Sequence, residues 1–125
     1  MKKIIFPLAL AAVAMAISTV SMDACARSLA QIKESGVLKV GSTGDYKPMS
    51  YLNKETGKYE GFDAEMAESL AKYLGVKLEY VPTKWKTLQQ DTMDDKFDVG
   101  ISGITVTDAR RKVMTMSDGY LTFGK

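Results

Sequence analysis

The stretch SGITVTDARR, Ser102 to Arg111, follows an apolar run and combines small residues, a helix-start pair and two arginines. Small residues let backbone N–H groups approach a ligand, and a helix N-terminus carries partial positive charge. An arginine adds two parallel hydrogen bonds to a carboxylate or phosphate. The chemistry that suits this composition is anion recognition. Arg110, Arg111 and Lys112 in succession are equally compatible with a solvated helix face, and the residues alone leave both readings open.

Other chemistries find little support. The chain has no histidine and a single cysteine, Cys25, so neither a zinc site nor a disulfide is expected, and no cofactor is. Asp94, Asp95 and Asp98 do not have the spacing of a calcium loop and read as a solvated turn. Gly41 and Gly44 are not followed by the lysine and hydroxyl pair of a phosphate loop. With 17 Lys and Arg against 15 Asp and Glu, a formal charge of +2, the chain is too near neutral for a nucleic-acid partner.

The elements that must position Ser102 to Arg111 follow from periodicity. Ser28 reads as the N-cap of a short helix ended by Gly36, and VLKVG alternates as a strand. STGDYKPMSY, rich in Gly, Pro and Asp, reads as a loop at that strand's carboxyl end, and NKETGKY as a hairpin-like turn. GFDAEMAESLAKYLG is an amphipathic helix with Phe62, Met66, Leu70 and Leu74 at i+4 spacing, Asp63 as a cap at its start and Gly75 at its end. VKLEYV is a strand, Thr87 to Asp94 a weaker helix resting on Leu88 and Met93, FDVGIS a strand, and Thr107 with Asp108 opens a last helix through Lys112. Strands alternating with helices predict an α/β fold, a mainly parallel sheet flanked by helices. Ligands of such sheets bind beyond the carboxyl ends of the strands, so the loops Ser42 to Tyr51 and Ser102 to Thr107 should meet there.

At the N-terminus, Lys2 and Lys3 precede an apolar run from Ile4 to Val20 and the small-x-small site Ala24-Cys25-Ala26. This is the pattern of a cleavable export leader spanning residues 1–26, with a mature lobe over 27–125. Pro7, Ser18 and Thr19 interrupt the run against a membrane anchor. Met22-Asp23-Ala24 fits poorly before a lipidated cysteine.

Four segments, VLKVGSTGDYKPMSY, YEGFDAEMAESLAKYLG, PTKWKTL and KFDVGISGITVTDARR, occur in the order and spacing of the first lobe of bacterial extracellular solute-binding proteins of family 3. The resemblance covers the chain from Leu29 onward. Gly44 to Pro48, Trp85 and Ser102-Gly103-Ile104 are most similar to the family's cyclohexadienyl dehydratase branch, which acts on prephenate or arogenate. The resemblance implies a periplasmic protein with two lobes, of which this chain carries the first, so that it reads as a fragment or truncated product. It also implies a small carboxylate ligand: prephenate, arogenate or an amino acid. In the transport branch the partner would be an ABC permease. A sensor input domain is a third class, disfavoured by a leader with no signalling module.

The resemblance also assigns residues. Arg110 aligns with the arginine that holds the ligand carboxylate, and Gly103 and Thr105 with an N–H and a hydroxyl on the same group. Tyr46 and Trp85 align with two aromatics that sandwich the ligand, although either could instead be a packing residue. Lys47 would face a second carboxylate, and Ser102 is a further candidate. Thr43 stands where transport members often carry an acid, a loss that suits a dianionic ligand. Met49 replaces a usual aromatic, and Thr92 a usual apolar residue. The general acid of a dehydratase is expected in the second lobe, so no catalytic residue is assigned and residues 27–125 alone are expected to be inactive.

Overall fold

Ser28 opens the first helix as the sequence predicts. Its hydroxyl accepts from the Gln31 N–H while the Gln31 side chain accepts from the Ser28 N–H, a reciprocal capping box, and α1 (Leu29–Ser35) ends at Gly36 in the left-handed region. The computed structural model describes residues 26–122, so the predicted leader through Cys25 lies outside the described residues. Among them no helix is long and apolar enough to cross a membrane.

From Gly36 the chain enters β1 (Val37–Ser42), the middle strand of a parallel sheet. On one side lies β5 (Lys77–Pro82), in register from Val37 opposite Lys77 to Ser42 opposite Pro82. On the other lies β6 (Val99–Gly100), with Val40 opposite Val99. The predicted FDVGIS strand is thus only two residues long. Just before it, the Asp98 N–H still donates to the Lys39 carbonyl at 2.9 Å while its side chain is held in a clasp: Arg27 Nε and Nη2 donate to its two oxygens at 2.8 and 2.5 Å, and the Lys39 N–H donates at 2.8 Å. Burial alone would push the Asp98 carboxyl up, but these donors outweigh it and hold it low. The expected solvated turn therefore contains a half-buried structural carboxylate.

A second sheet replaces the loop expected between Ser42 and Tyr51. Here β2 (Asp45–Tyr46), β3 (Ser50–Asn53) and β4 (Lys58–Glu60) pair antiparallel in that order. The Ser42 and Ser50 hydroxyls, both fully buried and 2.6 Å apart, join it to the carboxyl end of β1.

The long helix α2 (Phe62–Leu74) has the predicted bounds but a different inner face. Ala64, Ala67 and Ala71 are buried, Met66, Leu70 and Leu74 pack at the margin, and Phe62 is exposed. Alanines let the helix approach the sheet closely, which the larger i+4 stripe would prevent. Together with Ile32, Leu38, Val40 and Ile101, Ala67 and Ala71 form the core.

Beyond β5, α3 (Leu88–Met93) buries Leu88 but leaves Met93 exposed, and its anchor is polar. Asp91 accepts from Lys96 Nζ at 2.6 Å, Thr83 Oγ1 at 2.7 Å and Thr87 Oγ1 at 2.9 Å. Lys96 first, then the two threonines, lower its carboxyl from 3.8 to about 2. A depressed folded-state value contributes stability above the unfolded value and loses it as pH falls toward the folded one. Thermal melts of Asp91→Asn should therefore fall below the parent by a constant margin above about pH 5, and the margin should shrink toward pH 2. A margin independent of pH would show that the charge contributes nothing.

Candidate functional site

The carboxyl ends of β1 and β6 bring the two predicted loops together through side chains. Ser102, fully buried, receives the Thr43 N–H at 3.0 Å and lies 2.8 Å from the Thr43 hydroxyl. Thr43 and Ser102 thus form a strut between the loops, and their polar groups are engaged with each other.

Gly103 follows at φ +66°, and a Cβ there would fall 2.5 Å from ring atoms of Tyr46. Only glycine lets Tyr46 lie against this backbone. The Gly103 N–H, expected to serve a ligand carboxylate, instead donates to Asp63 Oδ2. Asp63 is not a helix cap either: the N-cap of α2 is Gly61, with no side-chain bond. The Asp63 side chain is 0% exposed, and its other oxygen accepts from the Tyr120 hydroxyl at 2.6 Å. A carboxylate buried this deeply takes whatever donors stand in reach. Burial, and then the bond to Asp63, raise the Tyr120 phenol above its ordinary range. The sequence offered only GFD at a helix start, and no local signal links residue 63 to 103 or 120.

The aromatic pair meets, but not as two parallel walls. Tyr46 and Trp85 contact edge to face, with centroids 6.0 Å apart at 75°. Trp85 is 39% exposed, which excludes a core role, and its indole N–H donates to Asp45 Oδ1 at 3.0 Å. Lys47 Nζ lies 4.7 Å from the Tyr51 ring centroid, a cation–π contact on the second sheet.

Arg110 sits in α4 (Asp108–Arg111), whose Thr107 cap accepts the Arg110 backbone N–H at 3.2 Å. Four residues make too short a helix for a substantial dipole, so any attraction for an anion there rests on the side chain. Arg110 Nη1 donates to the Thr105 carbonyl at 2.8 Å, and among the described residues no carboxylate pairs with the guanidinium.

A cavity of about 610 Å³ lies beside these loops, lined among others by Tyr46, Met49, Ser102, Gly103, Thr105 and Tyr120. Arg110 reaches it only through Thr105, and Trp85 only through Tyr46. Thr92, on the same cavity, satisfies its hydroxyl on the Leu88 carbonyl at 2.7 Å. A larger groove of about 820 Å³ runs between the second sheet and α2, lined by Tyr51, Tyr59 and Tyr80, away from the strand ends. The smaller cavity is the candidate site, because only it stands where parallel sheets present ligands. Among the described residues no group of three or more acidic or cysteine side chains is placed to hold a metal.

A parallel sheet with polar loops meeting at its carboxyl edge is the arrangement of a periplasmic-binding-protein-like lobe. Residues 38–125 match the model of bacterial extracellular solute-binding proteins, family 3, and the chain belongs to that family. It is 47% identical over 109 residues to a cyclohexadienyl dehydratase of Pseudomonas aeruginosa, covering 87% of this chain and 40% of that one. An ancestral cyclohexadienyl dehydratase, AncCDT-3, is similar in structure with a TM-score of 0.74 and 54% identity, over 80% of this chain and 41% of that one. The arginine-bound form of domain 1 from TmArgBP aligns with a TM-score of 0.67 and 38% identity, over 71% and 70%. The chain therefore spans about two fifths of the length of the dehydratase relatives.

Proposed function

We propose that residues 27–125 are the first lobe of an exported, periplasmic solute-binding-type protein, released from a leader over residues 1–26, and that this lobe anchors a small carboxylate ligand at Arg110. The observation that carries the reading is the Arg110 guanidinium, held in an exposed contact by the Thr105 carbonyl and, among the described residues, left without a protein carboxylate. A positioned arginine with donors to spare suits a carboxylate. Tyr46 and Trp85 supply an apolar edge for the ligand body.

The ligand is taken to be prephenate or arogenate, and the whole protein to act as a cyclohexadienyl dehydratase. Support comes from the likeness to that enzyme in P. aeruginosa and from the neutral Thr43 at the strut. This lobe would position substrate, and the acid that protonates the departing hydroxyl would come from elsewhere. A second reading, the amino-acid-binding component of an ABC transporter with a permease partner, draws on one feature. Asp45, bonded to Trp85, sets a negative charge beside the aromatic pair, where a ligand ammonium would be attracted.

Calorimetric titration of the chain with prephenate, arogenate and L-arginine separates the two. The arginine-bound state of an isolated first domain in a relative makes a single-lobe titration informative. Binding of prephenate or arogenate is expected, without release of phenylpyruvate or phenylalanine. Binding of arginine alone would move the assignment to transport. Heat with none of the three would overturn the carboxylate anchor.

A further inference from the structure

Asp63 is the one fully buried carboxylate of the described residues, and it takes part in neither of their two ion pairs, Arg27–Asp98 and Lys96–Asp91. It stands in the first turn of the thirteen-residue α2, where the helix N-terminus offsets part of its charge. Its own N–H and that of Phe62 donate to the Met49 and Pro48 carbonyls at 2.8 and 3.1 Å, so its backbone is fixed. The side chain divides its two oxygens between distant segments. Oδ2 takes the Gly103 N–H of the cavity loop, and Oδ1 takes the Tyr120 hydroxyl at 2.6 Å. Phe62, next in sequence, stacks on Tyr120 with centroids 6.2 Å apart at 20°, which holds the same contact from the helix side.

We propose that Asp63 is a positioning residue that couples the Gly103 loop to the Tyr120 segment. A carboxylate holds one negative charge shared over two oxygens. Charge drawn to one donor is withdrawn from the other, so the two bonds answer each other. Movement of Gly103 thus alters the grip on Tyr120, and movement of Tyr120 alters the placement of the loop. Both residues line the same cavity. The use of this coupling in ligand response rests on the cavity being the binding site, but the coupling itself does not.

The test is nuclear magnetic resonance of the Gly103 amide in the intact chain without ligand. Tyr120→Phe removes one donor and returns charge to the other oxygen. The Gly103 amide proton should move downfield and exchange with solvent roughly threefold to tenfold more slowly. Asp63→Asn should move the same proton upfield, and Tyr73→Phe, on an exposed position of α2, should leave it in place. A Gly103 amide unchanged in Tyr120→Phe overturns the proposal, as does a change spread evenly over the amides of the lobe, which would mark general loosening. If Asp63→Asn fails to fold, Tyr120→Phe alone decides. A second arm adds saturating prephenate or L-arginine: because Tyr120 itself lines the cavity, its ring resonances should shift in both proteins, but by less in Asp63→Asn than in the parent, and equal shifts would count against the coupling. Absence of any binding in this arm would count against the ligand site, while the ligand-free arm would still decide the coupling.

Discussion

Arg110→Ala is expected to weaken binding of the carboxylate ligand by about 10-fold to 150-fold, the equivalent of roughly 1.5–3 kcal/mol for loss of a charge-assisted hydrogen bond. The magnitude follows from how the side chain is held. Its Nη1 is committed to the Thr105 carbonyl, which fixes the guanidinium plane before ligand arrives and lowers the entropy lost on binding. No helix dipole substitutes for it, because α4 has four residues. Arg110→Lys keeps the charge but not the planar fork and should fall between parent and alanine. Arg111→Ala, on an exposed side chain, is the control and should bind as the parent does. Calorimetry with prephenate, arogenate and L-arginine reads all three variants. Equal losses at 110 and 111, or no loss at 110, would remove Arg110 from the site.

Gly61→Ala should be strongly damaging to the fold. At φ +116° and ψ 179° the residue occupies a region that L side chains scarcely enter, at a cost of roughly 1–3 kcal/mol. A Cβ there would also lie 2.5 Å from the Pro48 oxygen and 2.6 Å from the Met49 oxygen. Those carbonyls cannot retreat without loss, because they accept from the first two N–H groups of α2. Strain and displacement together should exceed about 3 kcal/mol, which lowers the melting temperature of a lobe this size by on the order of 15 °C. Gly57→Ala provides the comparison: φ is +70° with nothing within 4 Å of the added carbon, so only conformational strain applies. Differential scanning calorimetry of the two variants should show a several-fold larger loss at 61. Equal losses would mean that the carbonyls move aside freely.

The regular elements were legible where local chemistry decides them. Ser28 and Thr107 as caps and the αL glycines at 36 and 75 all act within one helical turn, and each holds in the structure, where Gln31, unannounced by the sequence, completes the Ser28 cap. The parallel sheet was legible because apolar strands alternating with a strongly periodic helix admit few other arrangements. Antiparallel strands inside STGDYKPMSY were not, since two-residue pairings such as Tyr46 with Ser50 leave no alternation to read among Gly, Lys and Pro. The meeting of Thr43 with Ser102 followed from topology, yet the mutual satisfaction of their hydroxyls did not. Polar roles set across the fold stayed hidden for the same reason. Asp63, Asp98 and Asp45 each bond a residue forty or more positions away, and nothing beside them in sequence names that partner.

The order β5-β1-β6 has a consequence for the history of each molecule. The strand made first is the one that needs both neighbours. Val40 waits for Tyr80 on one side and Val99 on the other. A ribosome that delivers this chain from its N-terminus presents β1 long before either edge can be covered, and long-range pairing of this kind is slow to form. An emerging chain that has reached Tyr80 can close only one side of the sheet, leaving Leu38 and Val40 beneath an unpaired edge open to other chains. Completion of the core is thereby deferred until the segment from Phe97 to Ser102 is free, and with it arrive the Asp98 anchor for Arg27 and the Ser102 strut for Thr43.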